Sequence, residues 1–117
     1  MTTSKLVLLW LDPSVNADKD NANTQTQLRK IITDVYAFED VSTCDKYIKN
    51  LSEEKQVVLI INGGFGEEFV PKIHEMPSLI AIYIFCMDQA KYVEWAKQFS
   101  KVKVNTYILY FFVCVDH

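Results

Sequence analysis

The chain has 117 residues, half of them apolar and 23% charged, a balance that suits one soluble globular core and leaves no room for a second. A net charge of −3, with Arg29 the one arginine among twelve basic residues, argues against a nucleic-acid surface. No stretch is long enough to span a bilayer, and the apolar run near the N-terminus is too short and too soon followed by an acid to be a signal peptide, so the expected compartment is the cytosol. Three cysteines, Cys44, Cys86 and Cys114, make an odd set without paired metal spacing. Cys44 and Cys86 fall inside apolar patterns and read as buried thiols of a reducing compartment.

Residues 5–11 (KLVLLWL) form a continuous apolar run, predicted as the first strand, and Asp12 and Pro13 end it because proline cannot continue a central strand. Residues 14–23 are polar and turn-rich. The first helix is predicted from Thr24, where Thr24 and Gln27 fit a capping box, with Leu28, Ile31, Ile32 and Val35 as its apolar stripe. Residues 35–38 make a short second strand suited to an edge. Asp40 or Ser42 can cap a second helix whose stripe is Val41, Cys44, Ile48 and Leu51.

The stretch QVVLIINGGFGEEFVPKIHEM, residues 56–76, organises the rest. An unbroken apolar run over 57–61 suits a strand covered on both faces. Asn62, Gly63, Gly64, Phe65 and Gly66 follow as a loop that holds all three glycines of the chain, read as a tight turn needing positive φ in preference to an anion cradle. A third helix follows, with Glu67 and Glu68 in its first turn. Pro71 fits only if that turn begins no earlier than about Glu68–Phe69. Phe69, Val70, Ile73 and Met76 supply its buried side, and Pro77 stops it. Residues 79–87 (LIAIYIFCM) are a second buried strand, Asp88 caps a fourth helix striped by Tyr92, Trp95, Ala96 and Phe99, and a fifth strand starts at Val102.

Strands alternating with helices predict a three-layer, doubly wound, parallel five-stranded sheet in the flavodoxin-like order 2-1-3-4-5, occupying residues 1–103. Residues 104–117 are an apolar tail with two readings: a long fifth strand, or an aberrant read-through, suggested by residues that AT-rich codons specify and a valine codon beginning with the GT of a splice donor. On either reading the final helix is missing. One sheet face is then expected to leave Trp10, Tyr107 and Leu109 uncovered, giving self-association or poor solubility.

Loops at the carboxyl ends of such strands face one crevice, which selects Asp12, Asn62, Gly63, Gly64 and Cys86 as candidate ligand-binding residues. The glycine loop lacks the dinucleotide fingerprint and the phosphate-loop lysine, and Glu67 and Glu68 would repel a phosphate. His74 stands without a nucleophile or acid at fixed spacing and reads as structural. No catalytic set, metal cluster or cofactor motif emerges.

In outline the domain resembles a response-regulator receiver. There, acids after the first strand hold magnesium, an aspartate after the third takes the phosphoryl group, a threonine or serine follows the fourth, and a lysine follows the fifth. Here Asp12 stands for one acid, Asn62 falls at the phosphoacceptor position and cannot form an acyl phosphate, Cys86 replaces the hydroxyl residue, and no lysine follows the fifth run. The TIR domain is a second comparison, but Glu39, Glu53 and Glu54 read as solvated loop acids and not as its catalytic glutamate. The segments LVLLWLD, DNANTQTQLRKIITDV, CDKYI, IINGGFGEEFVPKIHEM and IYIFCMD together are similar to the receiver-like or TIR-like N-terminal domain of bdelloid rotifer multidomain proteins, which often precedes an arginine ADP-ribosyltransferase or tetratricopeptide module. The resemblance implies a non-catalytic signalling or protein-interaction module, the accessory domain of a larger effector architecture, with a protein partner or itself as its ligand. The competing reading is a nucleotide or small-ligand binding domain, possibly a hydrolase, built on the same strand ends.

Overall fold

Five runs dominated by Val, Leu and Ile are covered on at least one face and form the strands of the computed structural model, which describes residues 5–17, 19–85 and 89–104. They are β1 (Leu6–Leu11), β2 (Asp34–Phe38), β3 (Gln56–Asn62), β4 (Leu79–Phe85) and β5 (Val102–Val104), with helices α1 (Lys19–Ile31), α2 (Val41–Asn50), α3 (Gly63–Ile73) and α4 (Gln89–Ala96) between them. All neighbouring strands are parallel, in the order β2-β1-β3-β4-β5. This is the flavodoxin-like order expected from the sequence.

Two apolar clusters sandwich the sheet. On one face Val7, Leu9, Leu11, Leu59 and Ile61 meet Cys44 and Ile48 of α2, Phe69, Val70 and Ile73 of α3, and Tyr92 and Ala96 of α4. On the other face Leu8, Trp10 and Ile60 meet Val35, Val15 and a single helix residue, Leu28 of α1. Trp10 is only 1% exposed, which corrects the expectation that it would lie bare: α1 covers β1 on that face. Its indole N–H is buried without a hydrogen-bond partner among the described residues. Tyr107 and Leu109, like the rest of 105–117, lie outside the described residues, as do Cys86 and the expected cap Asp88.

α1 starts at Lys19, five residues before the capping box assigned to Thr24. Thr24 lies inside the helix, its hydroxyl donating to the Asp20 carbonyl at 2.9 Å, and Thr26 does the same to Ala22 at 3.2 Å. These polar residues are poor helix formers, so tertiary anchoring decides. Gln25 is buried and its amide donates to the Val15 carbonyl at 2.8 Å and to Asn16 Oδ1 at 3.1 Å, tying the helix to the loop that precedes it. Ile31, assigned to the buried stripe, is 42% exposed. α2 follows expectation: Asp40 accepts from the Thr43 backbone N–H at 2.8 Å and its hydroxyl at 2.7 Å, bonds that hold the carboxyl below its ordinary value.

The largest correction concerns α3. It begins at Gly63, directly after the last residue of β3, and no glycine has positive φ. The three glycines are a helical first turn and not a tight loop. Their role is close approach: a Cβ on Gly63 would lie 2.6–2.7 Å from the Tyr92 ring, and one on Gly66 2.8 Å from Ile84 Cδ1, while one on Gly64 would meet nothing nearer than Asn62 Oδ1 at 3.5 Å. Pro71 therefore sits well inside the helix, where it removes the bond to the Glu67 carbonyl. Both residues are exposed, so water can take up that carbonyl.

The packing account separates the glycines. Gly63→Ala should destabilise by about 1–3 kcal/mol through overpacking. Gly64→Ala should be neutral, or stabilising by up to about 1 kcal/mol, because alanine is the better helix former. Urea unfolding of the two variants checks this, and equal losses at both positions would contradict it.

Candidate functional site

Leu11 of β1 pairs with Ile61 of β3, so the residues that follow them, Asp12 just past β1 and Asn62 at the end of β3, both come to the carboxyl edge of neighbouring strands. Asp12 turns the chain: its backbone N–H donates to the Phe38 carbonyl at 3.0 Å, its carboxylate accepts from Ser14 N at 2.8 Å, and its carbonyl accepts from Val15 N at 3.1 Å. Asn62 caps α3 from extended backbone, φ −63° and ψ 146°, with Oδ1 accepting from Phe65 N at 3.0 Å. Strand and helix thus share this residue, with no loop between them.

Gly63 and Gly64 follow at the helix N-terminus, Gly63 buried and Gly64 exposed. The structure therefore brings four of the five candidate residues to one edge, and the fifth, Cys86, lies outside the described residues. Two neighbours carried no signal in the sequence. Tyr92 of α4 lays the end of its ring on Gly63. Lys91, one residue earlier, places Nζ 3.8 Å from Glu67 Oε1 and 5.2 Å from the centroid of the Tyr92 ring. The crossover from β4 to α4 brings them here from about thirty residues away, a distance no local spacing rule reaches. The Lys91–Glu67 pair is exposed on both sides, so it adds little to stability. Because α3 begins at Gly63, Glu67 and Glu68 lie beyond its first turn, not within it as expected from the sequence, and Lys91 partly balances the charge of Glu67.

The edge thus offers one carboxylate, one carboxamide committed to capping, backbone amides of a helix N-terminus and a phenol. Among the described residues no group of three or more His, Cys, Asp or Glu side chains could hold a metal ion. His74 lies at the opposite end of α3, its ring edge-on to Phe99 at 4.8 Å. Cys44 is fully buried, and burial, aided by Asp45 and Asp40, pushes its thiol up to about 12. That makes it a packing residue with almost no thiolate at neutral pH. A surface depression of about 640 Å³ opens at the amino ends of the strands, between Ile48, Leu51, Lys55 and Met76. It is remote from the edge just described. No helix among the described residues is long and apolar enough to cross a membrane.

Capping makes a measurable demand on Asn62. Asn62→Ala should destabilise by about 1 kcal/mol, whereas Asn62→Asp, which keeps the acceptor and adds a favourable charge at the helix N-terminus, should leave stability at pH 7 unchanged or raised. Thermal unfolding of both variants checks this, and an alanine variant as stable as the parent would remove the capping role. No protein-family model, no curated protein and no solved structure matches this chain.

Proposed function

We propose that this domain is a non-catalytic, receiver-like signalling or protein-interaction module, the accessory part of a larger effector architecture, whose partner is a protein. One observation carries the reading. At the carboxyl end of the third strand of a 2-1-3-4-5 sheet, where a receiver presents its phosphoacceptor aspartate, this chain has Asn62, and its side chain is spent on capping α3. A carboxamide cannot form an acyl phosphate, and an oxygen already accepting from Phe65 N is poorly placed to ligate magnesium. Asp12 remains as one acid of the receiver set, without a described acidic companion to make a metal site. A fold retained without its phosphoryl chemistry keeps its surfaces, and surfaces are what an interaction module uses.

A second reading has its own support. Asp12, the N-terminus of α3 and the Lys91–Glu67 pair meet at one edge, the place where sheets of this order hold small ligands.

Two measurements separate the readings. Incubation with a small phosphodonor and magnesium, followed by intact-mass measurement, should leave the mass unchanged. A stable phosphoryl adduct on the domain would overturn the pseudo-receiver reading. A thermal-shift screen with nucleotides and dinucleotides should show no stabilisation. A true ligand at a hundredfold over its dissociation constant would add about 2.7 kcal/mol and would establish the binding reading instead.

A further inference from the structure

Side chains alternate along β2, whose sequence is DVYAF. Val35 and Ala37 join the apolar cluster beneath α1, so Asp34, Tyr36 and Phe38 share the face that carries α2. From α2, Tyr47 sets its ring against both aromatics, 5.1 Å from Tyr36 and 5.3 Å from Phe38. Phe38 and Tyr47 are partly buried against the core, whereas Tyr36 is 41% exposed. β2 is an outer strand of the sheet, so this aromatic shelf lies at an edge of the domain.

Charge gives the shelf a sign. Residues 34–45 hold four acids, Asp34, Glu39, Asp40 and Asp45, and no lysine or arginine. Two of them are committed: Asp40 caps α2, and Asp45 pairs with Lys49 at 2.9 Å. Asp34 and Glu39 make no ion pair among the described residues, and in sequence they bracket the two β2 rings. Asp34 is near enough to act on the shelf: burial, then Tyr36, then the charge of Asp34 hold the Tyr47 hydroxyl in its protonated form. The neighbouring cations face elsewhere. Lys46 acts on Asp40, Lys49 is paired, and Arg29 reaches the Val35 carbonyl and Gln25.

These facts select the occupant. The negative face of an aromatic ring beside a carboxylate favours a cation over an anion or a neutral group. A guanidinium suits the pair better than an ammonium, because its plane stacks on a ring while its N–H fork meets a carboxylate. Arg29 is the chain's single arginine and is already engaged, so a second copy has none to bring. With the Val35 carbonyl occupied, strand addition along this edge is hindered, which leaves contact through side chains.

We propose that the Asp34–Tyr36–Tyr47 face at the β2 edge docks an arginine-bearing segment of a partner protein, its guanidinium lying on the exposed Tyr36 ring and pairing with Asp34. This deepens the interaction-module reading and rests on it for the partner's being a protein. The phosphodonor experiment bears on that reading, and the experiment below bears on this surface alone.

NMR titration of the labelled intact chain with a capped Gly-Arg-Gly-Arg-Gly peptide tests it. The Tyr36 and Tyr47 ring signals and the Asp34 carboxyl should shift saturably. A lysine version should bind more weakly, and a citrulline version, which keeps the shape and loses the charge, should not bind. Tyr36→Leu, which keeps an apolar side chain and removes the ring, should weaken binding roughly two- to fivefold, and Asp34→Asn should weaken it as well. Equal binding of the arginine and citrulline peptides would overturn the proposal, as would a folded Tyr36→Leu variant that binds like the parent. The absence of a saturable shift, or shifts spread evenly over exposed acids elsewhere such as Glu53 and Glu94, would do the same. Ring signals that move with chain concentration alone would assign the shelf to a second copy and overturn it too.

Discussion

The first turn of α3 packs against β4 and α4 so closely that no side chain fits between them, and the rest of the architecture is arranged around that approach. β3 ends and α3 begins at one residue, Asn62, so the helix starts at the sheet's edge with no slack to move away. Gly63 brings the backbone against the Tyr92 ring and Gly66 brings it against Ile84. This seats Phe69, Val70 and Ile73 in the larger apolar cluster, where a fully buried side chain of that size contributes about 1.5–3 kcal/mol. The interior position of Pro71, normally a cost of about 3 kcal/mol, is tolerated because this packing fixes the helix from its first turn onwards.

Much of this was legible in the sequence, and the misses share a cause. The unbroken apolar runs of β1, β3 and β4 announce the central strands, although β4 is fully buried only at Leu79, Ile82 and Ile84, and their alternation with helices leads to the observed strand order. Asp40 as the cap of α2 could be read because the cap and its partner Thr43 are three residues apart. The start of α1 could not, since it depends on Gln25 reaching the loop carbonyl of Val15 ten residues back. The glycines misled for the same reason. Read locally they signal positive φ; in the fold they answer to side chains on β4 and α4, and only coordinates disclose that demand. At the candidate site, the strand-end rule found Asp12 and Asn62, whereas Tyr92 and Lys91 arrive from another helix and leave no mark near the residues they join.

The outer edge of the sheet at β2 shows another economy of means. Arg29, the only arginine, sends its guanidinium to the Val35 carbonyl at 3.3 Å and to Gln25 Oε1 at 3.4 Å. A carbonyl on the open side of an edge strand is a template for a foreign strand, and a charged side chain laid across it removes the template. Beside it the Tyr47 ring lies tilted against Tyr36 at 5.1 Å and Phe38 at 5.3 Å, and burial together with Tyr36 pushes its hydroxyl up to about 12. One carbonyl of this edge is thus occupied, beside a cluster of three aromatic rings.

Because every glycine is spent in one helical turn and no described residue of any other type has positive φ, every other described connection in the domain runs through backbone conformations open to ordinary side chains. The freedom to change is therefore distributed very unevenly along the chain. Loops such as the one after α2, or the polar turns of α1, can drift in composition while the fold stands. Position 62 must keep a capping side chain, and Gly63 and Gly66 must stay without a Cβ, whereas Gly64 between them is free to change. In a lineage descended from this domain, a capping residue followed by Gly-x-x-Gly at the end of the third strand would be among the last features to fade.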